Sequence, residues 1–451
     1  MMVQAWTFLP AGVNGSGELR SIARLSTPFE KCCSVEFSRL QRIGWVAVVI
    51  TALVAPWASV RGDEVPKGEH RIGVRVVGGT SEFYDRASGT KFVPRGNNYV
   101  RLIPLRDASG NERASHATFD AGRYDAERMD QALAHMHADG YNMVRMFLSE
   151  DSMGDQRLGL SPAYLKNVAD ALERAKSNGM FVFFTFQWLP KSRKYASLLQ
   201  PDCCDRFSFS NLYMLSPGGV NAEKSFFDDF IAGLRALGAP MDAIFAYELR
   251  NEVFFEEDHT PLTLTSGTIT TANGKAYDMA DAAQKQRMID ENLVFWIDEE
   301  RAEILAKDPT ALVGVGFFAP QLPNAFRVKD TRYVSSRPAI WNSHADFIDL
   351  HAYPGRNLTL AQYSENFGMK GNPPRPVIMG EFGATTDTYP GAKAAANGLV
   401  AWQRESCRQG YSGWILWTWD SDEQERFFNG MRDGGIIEKA LAPATRPDPC
   451  S

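Results

Sequence analysis

The stretch GMFVFFTFQW at residues 179–188 decides how this chain is read. It is short, apolar and without polar–apolar alternation, and it ends on Gln187 and Trp188. A strand with water on one face alternates; a strand covered on both faces does not. Seven other runs share the pattern: KFVPRGNN (91–98), NMVRMFL (142–148), AIFAYELRNE (243–252), ALVGVGFF (311–318), DFIDLHAY (346–353), PVIMGEFGA (376–384) and GWILWTW (413–419). Each predicts a buried strand.

Helical patterns fill the gaps. Residues 125–140 carry Met129, Leu133 and Met136 at three- and four-residue steps and stop at Gly140. Residues 161–179 open with Ser161 as a cap and Pro162 in the first turn, then close on Gly179. Residues 222–238, 279–308 and 391–410 are also helical in pattern. The segment after the fifth strand is irregular and rich in proline, so a helix is doubtful there. Eight strands alternating with helices predict an α/β fold, a (β/α)8 TIM barrel. A doubly wound open sheet is the runner-up, but no GxGxxG or GxxxxGK[ST] follows the first strand. HRIGVRVVGG and SEFYDRASG predict an N-terminal β-hairpin able to plug the barrel. An insertion at 253–278 carries SG and NG turn dipeptides and predicts a β-hairpin after strand four.

The chain has 451 residues, 44% hydrophobic and 23% charged, which suits a globular protein with a large core. A net charge of −6 and the lack of a basic block argue against nucleic acid as a partner, and no protein partner is evident. Six cysteines at this length are not a disulfide scaffold. A Cys407–Cys450 bridge is one option if the protein is exported. No Cys/His spacing suits zinc, and with seven histidines no converging His/Asp set predicts a metal.

Residues 43–58, IGWVAVVITALVAPWA, are uncharged, follow Arg39 and Arg42, and precede Ala58, Ser59 and Gly62. That order is a secretory signal's, implying a secreted or periplasmic protein. The run lies far from Met1, which fits a true start near Val35 or Leu40. A membrane anchor and a buried helix are the rivals. The expected division is a leader over 1–62 and a catalytic barrel over 63–451.

Barrel enzymes place their sites at the carboxyl ends of the strands. Those ends carry Asn98, Arg145, Gln187, Trp188, Arg250, Asn251, Glu252, His351, Tyr353, Glu381, Trp417 and Trp419. Glu252 and Glu381 would face one another across the mouth. Glycoside hydrolysis needs such a pair, one acid for the leaving oxygen and one carboxylate for the anomeric carbon. Arg145 would keep Glu381 ionised, Asn251 would bind a sugar 2-hydroxyl, Tyr353 would bind the nucleophile and Trp417 would stack on a pyranose. Glu248 is the competing carboxylate, four positions deeper on the same face as Glu252, and is expected to pair with a barrel arginine. The acidic run at 256–258, with His259, reads as a solvated loop.

LRNE ending strand four, HAY ending strand six, GEFG ending strand seven and a tryptophan ending strand eight together resemble glycoside hydrolase family 5, the cellulase family of clan A. The resemblance spans roughly residues 70–440. It implies a retaining double displacement on β-linked glucans or mannans, with Glu252 as acid/base and Glu381 as nucleophile, and no cofactor. Arg145, Asn251, His351, Tyr353 and Trp417 match position by position. Family members often carry a histidine at the end of strand three, where this chain has Gln187 and Trp188. That departure leaves the catalytic pair untouched, and with it the resemblance does not fix the wall of the sugar site or the substrate. The competing reading is a non-catalytic carbohydrate-binding barrel; it usually lacks a catalytic carboxylate, and both are present.

Overall fold

The computed structural model describes residues 70–106, 112–203, 205–318, 332–333, 337–355, 359–369 and 373–451. The apolar run at 43–58 and the leader expected over 1–62 lie outside them. Eight parallel strands close into a barrel in chain order: Arg95–Asn98, Met143–Phe147, Phe181–Thr185, Ile244–Glu248, Val313–Phe318, Phe347–His351, Val377–Phe382 and Gly413–Leu416. Each lies within the run that predicted it. The last strand pairs with the first, Trp414 opposite Arg95, which seals the cylinder and rules out the open sheet.

The helices form where the sequence caps them. Ser161 accepts a hydrogen bond from the Tyr164 amide and Pro162 occupies the first turn of helix Pro162–Ser177. Its buried Tyr164, Leu165, Val168, Ala171, Leu172 and Ala175 recur at helical spacing and face the barrel. Helix Ala126–Ala138 is capped by Asp125 in the same way. Helix Pro217–Ala236 begins five residues before its apolar pattern, at the cap Ser216, because two glycines hide the start. After the fifth strand a six-residue helix, Arg337–Asn342, is described. No described helix is long and apolar enough to cross a membrane.

Hairpin Ile72–Val77/Thr80–Asp85 closes the amino-terminal end of the barrel. Its Phe83 packs on Phe245 and Phe347, with ring centroids 5.3 and 5.5 Å away. Met143, Phe183 and Ile415 complete that apolar plug. The chain enters the hairpin through buried His70, whose Nε2 lies 2.6 Å from Asp308. The insertion hairpin, Thr268–Thr270/Ala276–Asp278, turns at Asn273–Gly274. It docks on helices: the Ala272 amide donates to Leu215 of helix Phe209–Leu215, and Tyr277 donates to Glu291 of helix Ala282–Lys307.

The C-terminal segment is part of the barrel. Buried Arg95, at the base of the first strand, donates to the carbonyls of Leu441 at 2.5 Å and Arg446 at 2.6 Å. Burial lowers its pKa to about 10. Cys407 and Cys450 are bridged, tying this segment to helix Ala392–Arg408.

Candidate active site

Strand alternation carries the site. On the second strand, Met143 points into the plug and Arg145, two residues on, points into the barrel axis. A buried guanidinium needs partners on every side. Nη1 donates to Glu381 Oε1 at 2.8 Å and to Asn98 Oδ1 at 3.0 Å. Nη2 donates to Glu248 Oε2 and to Asn251 Oδ1, both at 2.6 Å. Burial works against its charge, but Glu248, Glu381 and Asp349 outweigh burial and raise its pKa.

Glu381 has both oxygens engaged, Oε1 by Arg145 and Oε2 by the Tyr353 hydroxyl at 2.7 Å. Burial pushes its carboxyl above the ordinary range while His351 and Arg145 pull it back. Burial wins, so the expected cation contact is present but its expected net effect is not. Burial, then Glu381, raises Tyr353 far above a free phenol, which keeps it a donor. His351 Nδ1 lies 2.9 Å from Glu252 Oε1 and 3.5 Å from Glu381 Oε2. Burial opposes an imidazolium there, yet Glu381, Asp349 and Glu252 raise its pKa well above the ordinary value. One atom each of Glu252, His351 and Glu381 lie within 4.8 Å of one another. That spacing would also suit a cation, but Arg145 and Tyr353 already take both Glu381 oxygens.

The mouth has two aromatic walls. On one, Trp188 is half-buried, lies over the Arg250 guanidinium at 5.1 Å and contacts Tyr213. Gln187 donates to the Glu252 carbonyl at 3.4 Å. On the other, Trp417 meets Phe147 edge-on at 5.7 Å and donates to Gln424. The bond from Trp417 to Thr418 is cis. His116 stacks flat on Phe147, 3.9 Å between centroids. Burial, then Arg145, lowers the His116 ring to about 3 and leaves it neutral.

The structure brings Arg145, Asn251, Glu252, His351, Tyr353 and Glu381 into one hydrogen-bonded group. Two further strand-end residues have supporting places. Asn98 is wholly buried, its amide donating to Gly380 and Leu416, so it braces Arg145 and is no sugar contact. Arg250 points out of the barrel, pairs with buried Glu223 and lies over Trp296. In the acidic run read as a solvated loop, Glu256 is half-buried and accepts from the Ser210 amide and hydroxyl at 3.2 Å, while Asp258 is exposed. Glu248 does pair with Arg145, as its depth implied. Asp349 and His116 went unremarked. Asp349 stands two places before His351 and so shares its inward face, a signal present in DFIDLHAY. His116 arrives on a hairpin, Leu102–Arg106/Glu112–His116, that no periodicity announces.

The model for Cellulase, glycosyl hydrolase family 5, matches residues 107–423, well over half of the chain. A sequence search of curated proteins finds no match. Among solved structures the fold is similar to an endo-1,4-β-mannanase from Rhizomucor miehei, with TM-score 0.57, 15% identity, and 83% of this chain and 100% of that one covered. It is also similar to an exo-β-1,4-mannosidase from Opitutaceae bacterium strain TAV5 (0.52, 18%, 82% and 62%). A third is an endo-β-1,4-mannanase from Thermotoga petrophila (0.52, 15%, 79% and 77%). At these identities the likeness is one of fold. The family match takes in Glu252 and Glu381 and seven of the eight barrel strands, and on it the chain belongs to glycosyl hydrolase family 5 and is a glycoside hydrolase.

Proposed function

We infer that this enzyme cleaves β-linked poly- or oligosaccharides with retention, Glu381 acting as nucleophile and Glu252 as acid/base. The observation that carries the reading is the approach of the two carboxyls to within 4.8 Å. Retaining pairs stand about 5–5.5 Å apart, whereas inverting pairs leave about 6.5–9.5 Å for a water. In the first step Glu381 attacks the anomeric carbon while Glu252 gives its proton to the departing oxygen. The glycosidic bond breaks, a glycosyl ester forms on Glu381, and the aglycone leaves as an alcohol. In the second step Glu252 takes a proton from water, the water oxygen attacks the same carbon, and Glu381 leaves.

The surrounding groups suit these roles. Arg145 and Tyr353 fix both Glu381 oxygens, which limits the rotation a nucleophile would otherwise lose on reacting. Asn251 gives its carbonyl to Arg145 and keeps an amide N–H pair for a sugar 2-hydroxyl. Trp417 and Trp188 offer faces for sugar rings. The similar folds carry the names of mannanases and a mannosidase, which makes β-1,4-mannan the first substrate to try and β-glucan the second. The basic-then-apolar order ahead of residue 62 and the Cys407–Cys450 bridge support an exported enzyme.

The test is covalent trapping. A fluorinated aryl β-mannoside or β-glucoside slows the second step, and peptide mass spectrometry should find the sugar on Glu381. Proton NMR should show the β-anomer as the first product. A first-formed α-anomer, or label on another side chain, overturns the reading.

A further inference from the structure

Beneath the catalytic glutamates lie two carboxyls that the double displacement does not use. Glu248 and Asp349 are buried, on strands four and six. Glu248 Oε2 accepts from Arg145, but Oε1 has no donor. Asp349 Oδ1 accepts from the Gly380 amide at 2.6 Å. Its Oδ2 lacks a well-aligned donor and faces His351 Nε2 at 3.5 Å and Arg145 Nε at 3.6 Å. An oxygen of each carboxyl and a ring nitrogen of His351 lie within 4.8 Å of one another. Two buried carboxyls this close, each with an oxygen that no donor satisfies, repel when both are ionised and favour a proton on one of them. The backbone makes room for this pair. A Cβ on Gly380 would lie 1.9 Å from Asp349 Oδ2, and one on Gly316 would lie 2.5 Å from Glu248 Oε1.

We propose that Glu248 and Asp349 hold one proton between them, and that their single remaining charge keeps His351 an imidazolium serving as counter-ion to either catalytic glutamate. The inference rests on the roles given above to Glu252 and Glu381. When the glycosyl ester forms, negative charge disappears from Glu381 and appears on Glu252. His351 touches both, so the charge moves without leaving its counter-ion, a fixed dipole arrangement of the kind that lowers barriers in dry sites. The groups facing His351 are Arg145 from strand two, Glu248 and Glu252 from strand four, Asp349 from its own strand, Tyr353 beyond it and Glu381 from strand seven. With one shared proton, and Glu252 protonated, two cations face two anions and the buried group is neutral. Burial pushes the Glu248 carboxyl far above the ordinary range. At Asp349 burial pushes the same way, but His351 and Arg145 overcome it and hold the carboxyl low. Both are positioning residues.

A double-substitution cycle tests this. Glu248→Gln and Asp349→Asn each leave one anion in the pair. Each should lower kcat by up to about tenfold and leave both limbs of the pH–rate profile within about half a unit. The double variant leaves no anion. Loss of a nearby negative charge lowers neighbouring pKa values, so both limbs should move down by about one unit or more and kcat should fall about 100-fold or more. Limbs that move in each single variant, with shifts that simply add, mean two ionised carboxyls and overturn the proposal. A measurement on the unaltered enzyme covers variants that fail to fold. In ¹⁵N-histidine-labelled protein both ring nitrogens of His351 should stay protonated well past the pH at which an ordinary histidine loses its proton. A neutral His351 ring at pH 7 overturns the proposal. That titration is independent of which glutamate is the nucleophile, whereas failure to trap sugar on Glu381 would overturn the catalytic assignment alone.

Discussion

At the lower end of the barrel Met143, Phe183 and Phe347 meet Phe83 of the hairpin; two residues further along the same strands stand Arg145, Thr185 and Asp349. The backbone is the same and the inward face is the same. Only the height differs. Below, stability comes from apolar area removed from water, about 25 cal/mol per Å², and the aromatic side chains need only fit. Above, each buried ion is tolerated only while its partners remain, since one unpaired charge costs several kcal/mol. The lower end can therefore be weakened gradually, while the upper end fails when a single partner is lost. The contrast separates stability from chemistry along one axis.

The largest expected effect breaks the upper end without touching the lower. Glu381→Gln should cut kcat by about 10⁴-fold or more, and Glu252→Gln by about 10²–10⁴-fold. Both should still fold, Glu252→Gln melting close to the parent and Glu381→Gln lower, because buried Arg145 loses a carboxylate partner. Turnover near the parent level in Glu381→Gln would move the nucleophile elsewhere. The converse substitution is Phe83→Ala. It should cost about 3–5 kcal/mol in denaturant unfolding, while kcat of the folded enzyme changes by less than about twofold. A large kcat loss there would mean that the two ends are coupled through the strands.

The smallest effect concerns an acid outside both ends. Glu438 is buried near Asp139 and His135, between the last helix and the first. Burial, then Asp139, pushes its carboxyl up to about 8. A raised folded-state value means that its contribution to stability is full below the ordinary carboxylate range and is lost as pH rises through about 8. Melting temperatures measured from pH 5 to 9 should therefore decline less in Glu438→Gln than in the parent. Parallel declines would assign the alkaline loss to other groups.

Strands buried on both faces write themselves into sequence as apolar-rich runs without alternation, which made seven of the eight legible; the first, Arg95–Asn98, has no large apolar side chain and was marked only by Phe92 and Val93 before it. Glu381 was legible as the sole charge in PVIMGEFGA, whereas Glu252 follows Glu248 and Arg250 and was picked out by its place at the strand's end beside Asn251. What lay between elements was not. The hairpin that delivers His116 sets Ile103 and Leu105 opposite Ser115 and Arg113, a mixed pattern without regular alternation, and His116 is fixed by stacking on Phe147, 31 residues away. Asn98 shows the opposite failure. A polar residue at a strand end looks like a ligand contact, yet Arg145 needed a brace and claimed it. Asp349 could have been found by counting two back from His351. It was hidden inside a run whose other members are apolar.

Arg95 gives the fold an order in time. The first barrel strand is synthesised early, but its base is held by carbonyls 346 and 351 residues later in the chain. Until Leu441 and Arg446 have left the ribosome, the Arg95 guanidinium has nothing to bind, and the seam between first and last strands stays open. Strands two to seven can pair as they emerge; the cylinder cannot close. The nascent enzyme must then wait as an open sheet with two exposed edges, the state most prone to pairing with a neighbour. Folding this barrel is thus a race between the arrival of residues 441–446 and that of a wrong partner, and chaperone demand should be greatest just before those residues emerge.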